Sequence, residues 1–77
     1  MEIDERECLV EFGKLVRDCR VKRGIDQISL SEKLGITQSQ LSHIETGKRN
    51  TTISVVFKLC AELNLDFQDF LNKYVNR

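Results

Sequence analysis

The chain has 77 residues, of which 40% are hydrophobic and equal numbers are acidic and basic. A chain of this length forms one domain, residues 1–77, and buries only about 60% of its unfolded surface, so we expect a small core that gains stability from a partner subunit. Its three cysteines lack CxxC spacing and accompany a single histidine, which argues against a disulfide framework or a metal site. No apolar stretch suits a signal peptide or a membrane span. We therefore expect a cytoplasmic protein without a cofactor or small-molecule ligand.

The charges are unevenly distributed along the chain. Residues 1–13 hold five acids and one base, residues 14–49 hold eight bases and four acids, and residues 50–77 hold three of each. Such a distribution creates a directional field that can attract a polyanion to one face of the protein. Ordinary solvated helix charge explains the same pattern equally well.

The first predicted helix runs from about Glu5 to Arg23. Its apolar residues recur every three or four positions, as one buried helix face requires: Cys8, Phe12, Leu15, Val16 and Cys19. Gly13 falls inside this stretch, and Gly24 ends it.

A short second helix is predicted from Gln27 to Leu34. Asp26 is its expected N-cap, and Gly35 ends it because glycine adopts the left-handed conformation at low cost. Its buried side chains are Leu34 and either Ile28 or Leu30.

The third helix has the clearest start signal in the chain. Thr37 to Gln40 form a capping box, in which each of these two side chains bonds to the backbone of the other residue. Ile36 and Leu41 flank the box as a hydrophobic staple, and the helix runs to about Glu45.

Two further helices complete the prediction. Thr51 or Thr52 caps the fourth helix, and one face of this helix carries Ile53, Val56, Leu59, Cys60 and Leu63. Asp66 caps the fifth, over about residues 66–75. Five short helices without a strand signal predict an all-α domain.

The joint between the second and third helices points to a function. The tight glycine turn at residues 34–37 forces a large crossing angle, as in a helix-turn-helix, so the third helix can project from the surface. Once its apolar residues are assigned to the core, its outward side chains are Gln38, Ser39, Gln40, Ser42, His43 and Thr46.

This outward face suits the major groove of duplex DNA. It carries amides and hydroxyls, and no carboxylate precedes Glu45. Glutamine can pair with adenine through two hydrogen bonds, so Gln38 and Gln40 are candidate base readers, although the capping box alone also accounts for Gln40. Lys48 and Arg49 lie just beyond the helix, where they suit flanking phosphates.

Residues from about Phe12 to Leu71 resemble the lambda-repressor-like helix-turn-helix family, which includes Cro, the phage repressors and the XRE-type regulators. The resemblance is clearest in residues 22–50, KRGIDQISLSEKLGITQSQLSHIETGKRN. It implies base contacts by Gln38, Ser39 and His43, and an ion pair between Arg20 and Glu45. It also implies phosphate contacts by Gln27, Lys48, Arg49 and Asn50, to which we add the hydroxyls of Thr37, Ser42 and Thr46.

Two further stretches, ECLVEFGKLVR and GKRN-TTISVV, resemble the controller proteins of restriction–modification systems, which are short stand-alone dimers. Three residues depart from the family pattern. Asp26 stands where many members have serine or asparagine, Thr51 replaces a frequent proline, and Asn64 follows the fourth helix where glycine is common.

The fifth helix carries more apolar side chains than one inward face needs, and Val55 and Phe57 add to this surplus. An exposed apolar patch on a small domain usually marks an interface. We therefore predict a two-fold homodimer, which would place two recognition helices about 34 Å apart, one turn of DNA. The predicted interface residues are Val55, Leu59, Phe67, Phe70, Leu71 and Tyr74.

The sequence thus predicts a transcriptional regulator that binds double-stranded DNA as a homodimer on a pseudo-palindromic operator, with RNA polymerase as an additional candidate partner. One alternative is a phage-type repressor. The other is an antitoxin-like or other protein-interaction module, which the acidic residues 1–13 and the aromatic fifth helix favour. An enzyme is the weakest alternative, since the sequence has no paired carboxylates, nucleophile–base set or cofactor motif.

Overall fold

A computed structural model describes residues 4–75, which form five α-helices and no strand. In chain order they are α1 (Glu5–Lys22), α2 (Gln27–Leu34), α3 (Gln38–Glu45), α4 (Ile53–Leu63) and α5 (Phe67–Val75). The predicted all-α class is confirmed. The two ends of the predicted domain, residues 1–3 and 76–77, lie outside the described residues. None of the helices within residues 4–75 combines the length and apolarity that crossing a membrane requires.

A side-chain oxygen caps the start of each helix. Asp26, Thr37 and Asp66 occupy the predicted capping positions, and Thr52, not Thr51, caps α4. Asp4 caps α1. An N-cap of this kind stabilises its helix by about 1 kcal/mol, because it accepts a hydrogen bond from a backbone N–H that lacks a partner within the helix.

The core lies where α1, α2, α3 and α4 meet. Leu30 is fully buried, whereas Ile28 is 55% exposed, so Leu30 is the residue of this pair that α2 contributes to the core. The other buried apolar side chains are Phe12, Val16, Leu34, Leu41, Ile44, Leu59 and Leu63. They follow the helical spacing seen in the sequence.

The C-terminal end of α3 crosses α1 with its backbone in close contact. A methyl group at Gly13 would collide with the carbonyl oxygen of Ile44 and lie 2.7 Å from that of Glu45. One at Gly47 would lie 2.7 Å from the Cα of Val10, and Gly47 also has a φ of +72°. Only glycine permits this approach, so α1 holds α3 in a fixed position.

The three cysteines, Cys8, Cys19 and Cys60, are half-buried free thiols. Burial raises the pKa of the Cys8 and Cys60 thiols, with the nearby Glu5 carboxylate adding to the effect at Cys8. Because a raised pKa lowers the fraction of reactive thiolate, Cys8 and Cys60 act as small apolar residues.

Aromatic contacts attach α5 to α1. Phe12 meets Phe67 and Phe70 edge to face, with ring centroids 6.2 and 5.7 Å apart, and Phe70 stacks on Tyr74 at 6.2 Å. The Tyr74 hydroxyl donates a hydrogen bond of 2.9 Å to the carbonyl oxygen of Asp4. These contacts join the end of α5 to the start of α1.

One residue predicted for the dimer interface belongs to the interior instead. Leu59 is fully buried within the protomer, so its assignment to the dimer interface is wrong. The reason is its place on the inward face of α4, beside Leu63. The large apolar side chains of α4 that point outward are Ile53 and Phe57, which are 67% and 69% exposed.

Candidate nucleic-acid interface

The helix-turn-helix geometry depends on the turn between α2 and α3. Gly35 has a φ of +71°, and its backbone N–H donates to the carbonyl oxygen of Glu32. The N–H of Ile36 donates to Ser31 at 3.0 Å, and the Ile36 side chain packs against the core. The turn therefore separates two distinct helices and fixes the angle between them.

Thr37 and Gln40 form the predicted capping box at the start of α3. The Gln40 N–H donates to Thr37 Oγ1 at 3.0 Å, and the Thr37 N–H donates to Gln40 Oε1 at 2.8 Å. The amide oxygen of Gln40 is thus occupied, which leaves its NH2 group to contact a ligand. This bond ties the Gln40 side chain back to the N-cap, so Gln40 is less free than Gln38 to pair with adenine.

The other predicted base readers differ in accessibility. Gln38 and Ser39 are exposed at the first turn of α3, and His43 is half-buried one turn later. The Nδ1 atom of His43 is buried without a hydrogen-bond partner among the described residues. Of the two ring nitrogens, Nε2 is therefore the one available to a ligand.

Lys48, Arg49 and Asn50 are exposed in the loop that follows α3. Arg49 and Asn50 line a groove of about 170 Å³ between α3 and the start of α4, together with Gln40 and Thr51. Within the described residues, the buried Thr51 hydroxyl has no hydrogen-bond partner. The residue that replaces the family's frequent proline therefore places a buried hydroxyl, not an exposed one, beside two candidate phosphate ligands.

The three hydroxyls added as phosphate ligands have different surroundings. Thr46 donates its proton to the carbonyl oxygen of Ser42 at 3.0 Å, so the proton is already used within the helix end. Thr37 accepts a hydrogen bond through its oxygen and retains its own proton for donation. Ser42 is half-buried. Thr37 is therefore the best placed of the three.

Arg20 and Glu45 come together as a two-bond ion pair between α1 and α3. Arg20 Nε lies 2.6 Å from Glu45 Oε2, and Nη2 lies 3.1 Å from Oε1. A third bond from Arg20 Nη1 reaches the carbonyl oxygen of Ile25 at 2.8 Å. The side chains are 12% and 3% exposed, and the hydrogen bond to Glu45 raises the pKa of the Arg20 guanidinium.

The half-buried Gln27 extends this ion pair toward the surface. Its Nε2 donates to Glu45 Oε1 at 3.0 Å, and its Oε1 accepts from Gln38 Nε2 at 3.4 Å. A hydrogen-bonded chain thus runs from the α1–α3 contact to the exposed first residue of α3. Gln27 keeps a second N–H, which its predicted phosphate contact would use.

Asp26 determines what an anion meets at the start of α2. Its carboxylate accepts from the Ser29 N–H at 2.8 Å and from the Ser29 hydroxyl at 3.1 Å. These bonds lower the pKa of Asp26, so a negative charge occupies the N-terminus of α2. A phosphate near this end must therefore be bound by side chains such as Gln27.

Comparison with known proteins agrees with this geometry. A family model described as helix-turn-helix matches residues 16–70, which include α2, the turn and α3. The chain belongs to the helix-turn-helix family. It is of the XRE type, as the residues of the turn and α3 predicted. No curated protein sequence matches the chain.

Two solved structures share the fold of this chain. The restriction-modification controller protein C.AhdI from Aeromonas hydrophila is 30% identical, with a TM-score of 0.72 over 79% of this chain and 92% of that chain. The clp gene regulator ClgR from Corynebacterium glutamicum shares the fold, with 24% identity and a TM-score of 0.76 over 99% of this chain and 78% of that chain. Membership of the helix-turn-helix family supports a DNA-binding transcriptional regulator.

Two features of this helix-turn-helix protein escaped sequence analysis. The first is the close backbone contact at Gly13. The sequence held one signal for it, a glycine inside a predicted helix, where glycine costs about 1 kcal/mol relative to alanine. The bond between Gln27 and Glu45 left none, since the two residues are 18 positions apart and lie on different helices.

Proposed function

We propose that this protein is a homodimeric regulator of transcription that reads a pseudo-palindromic operator in duplex DNA with α3. The observation that carries the proposal is the exposed pair Gln38 and Ser39 at the start of a helix fixed crosswise by its neighbours. Base reading needs side chains held in a defined geometry on a helix that can enter the major groove.

The phosphates flanking the groove would be bound on both sides of α3. Lys48, Arg49 and Asn50 supply cationic and amide donors at one end. Gln27 and Thr37 supply donors near the other end. Phosphate contacts position the helix, whereas contacts to base edges provide the sequence preference.

The proposed dimer surface consists of exposed apolar side chains on α4 and α5. Phe67 and Leu71 are 37% and 41% exposed and lie one turn apart on α5, as do the still more exposed Ile53 and Phe57 on α4. Tyr74, Phe70 and the half-buried Val55 would contribute from the edge of this surface. Leaving these side chains in water is unfavourable, and a second copy of the chain would cover them.

The similarity to C.AhdI supports a controller-type role for the proposed regulator. The exposed Ile53 and Phe57 also fit the second candidate, a protein-interaction module whose main ligand is another protein. The phage-type repressor, the RNA polymerase contact and the cytoplasmic location stay predictions.

Selection of bound duplexes from a randomised pool tests the proposal. We expect wild-type protein to enrich one palindromic sequence, with binding that weakens steeply as salt rises. Gln38→Ala should lose about 1–3 kcal/mol of binding free energy and its preference at one base pair. Gln68→Ala, at an exposed glutamine on α5, is the matched control and should leave both unchanged.

Arg49→Ala separates phosphate contact from base reading in the same assay. It should weaken binding to selected and random duplexes alike and reduce the salt dependence by about one charge. Operator binding by Gln38→Ala that equals that of wild type would contradict base reading by α3. A stoichiometric protein partner, without salt-sensitive duplex binding, would favour the interaction module.

A further inference from the structure

We propose that Glu45, which cannot itself reach a base, determines which base Gln38 prefers. It does so by fixing the direction of the hydrogen-bonded chain that runs from Glu45 through Gln27 to Gln38. The inference rests on the proposed function, since it assumes that Gln38 reads a base edge. Glu45 is in this sense a positioning residue.

The direction of the chain begins with the chemistry of the ion pair. Arg20 is cationic at any physiological pH and donates one hydrogen bond to each of the two Glu45 oxygens. A carboxylate can only accept hydrogen bonds. With 3% of the Glu45 side chain exposed, water cannot readily take the place of a missing donor.

Gln27 must therefore turn its NH2 group toward Glu45, and the two atoms lie 3.0 Å apart. The opposite orientation would bring two oxygens into contact in a partly buried site, which is unfavourable. The amide oxygen of Gln27 consequently points away from Glu45 and toward α3. There it can only accept, so Gln38 must supply the donor.

Gln38 is left with its amide oxygen and one N–H for a ligand. Adenine presents a donor at N6 beside an acceptor at N7, which matches this remaining acceptor and donor. Guanine presents two acceptors, O6 and N7. If the chain ran in the opposite direction, the Gln38 oxygen would bond to Gln27, and both Gln38 N–H groups would be left for the base, which suits the two acceptors of guanine. The charge on Glu45 therefore favours adenine.

Glu45→Gln tests this inference by making position 45 a possible donor. Its amide oxygen would stay on the Arg20 guanidinium, and its NH2 would face Gln27, which reverses both amides. The probes are four duplexes based on the sequence that wild-type protein selects. They differ only at the base pair for which Gln38→Ala loses its preference, and each carries a different one of the four base pairs there. We expect wild-type protein to prefer adenine to guanine there by roughly tenfold, and Glu45→Gln to lose or invert that preference.

Gln27→Met provides a second test that leaves the ion pair intact, in case Glu45→Gln does not fold. It removes the hydrogen-bonded chain. The ratio of the affinities for the adenine and guanine duplexes, the adenine-to-guanine ratio, should then be close to one. If Gln27 only contacted a phosphate, the same variant would weaken binding to all four duplexes equally and keep the ratio. Glu62→Gln, the same substitution at a carboxylate that pairs with Lys33 on the surface, is the matched control and should keep the wild-type ratio.

The outcomes distinguish this inference from the proposed function. If wild-type protein selects no sequence, both are wrong. If wild-type protein selects an operator and Gln38→Ala loses the preference at one base pair, the proposed function holds. In that case an unchanged adenine-to-guanine ratio in Gln27→Met, or in folded Glu45→Gln, overturns the role of Glu45 alone.

Discussion

The contact between α1 and α3 and the contact between α1 and α5 differ in how completely each is formed within one protomer. At the first, Gly13 brings two backbones together, and the ion pair between Arg20 and Glu45 is almost fully buried. At the second, aromatic rings meet at centroid distances of about 6 Å, and Phe67 and Leu71 remain 37% and 41% exposed.

This difference separates the two tasks of the proposed regulator. A helix that reads base edges needs a fixed position before DNA arrives, because ordering it on binding would cost affinity. A helix that forms a dimer interface must keep apolar surface uncovered in the isolated protomer. The comparison predicts that substitutions at the first contact destabilise the protomer, whereas substitutions in the exposed apolar surface weaken assembly.

Arg20→Met should have the largest effect. It leaves Glu45 charged and buried without its ion-pair partner, and such a loss typically costs about 3–5 kcal/mol. The free energy of unfolding, measured by urea denaturation at a fixed protein concentration, should fall by about that amount. Lys33→Met, which breaks an exposed pair with Glu62, is the control and should cost less than about 1 kcal/mol. Equal losses in the two variants would show that burial of the pair has no consequence for stability.

Gly13→Ala should follow, with a loss of about 2–3 kcal/mol in the free energy of unfolding. The added methyl group meets backbone carbonyls of Ile44 and Glu45, which cannot rotate away, so α3 must shift. Gly24→Ala is the control, because a methyl group there meets no atom within 4 Å and only the φ of +69° costs energy. If urea denaturation gave Gly13→Ala no larger loss than Gly24→Ala, the close contact would not be rigid.

Much of the local structure followed from the sequence, because local signals determine it. The caps at Asp26 and Thr37 and the break at Gly35 depend on residues within a few positions of one another, and all three lie where predicted. Contacts between distant residues were less accessible. The place of Leu59 was wrong because the apolar spacing of α4 does not reveal which of its apolar residues the other helices cover.

Phe57→Ser should weaken the dimer while leaving the protomer nearly unchanged. The Phe57 side chain is 69% exposed, so the protomer loses little packing when it is replaced. The dissociation constant of the homodimer, measured by sedimentation equilibrium, should rise at least about tenfold, or about 1.4 kcal/mol. Val21→Ser on α1, at a side chain of similar exposure, is the control and should leave assembly unchanged. A similar change in both variants would place the interface elsewhere.

Asn64→Ala should have the smallest effect, a loss of about 1 kcal/mol in the free energy of unfolding. Asn64 ends α4 with a φ of +52°, a left-handed conformation that asparagine tolerates better than alanine does. Asn64→Gly should be at least as stable as wild type, since the family's usual glycine adopts this conformation without strain. Urea denaturation of both variants, with Asn72→Ala on the exposed face of α5 as control, measures the difference. If alanine and glycine gave equal stability at position 64, the left-handed backbone would not be what restricts this position, and the departure from the family pattern would have a different cause.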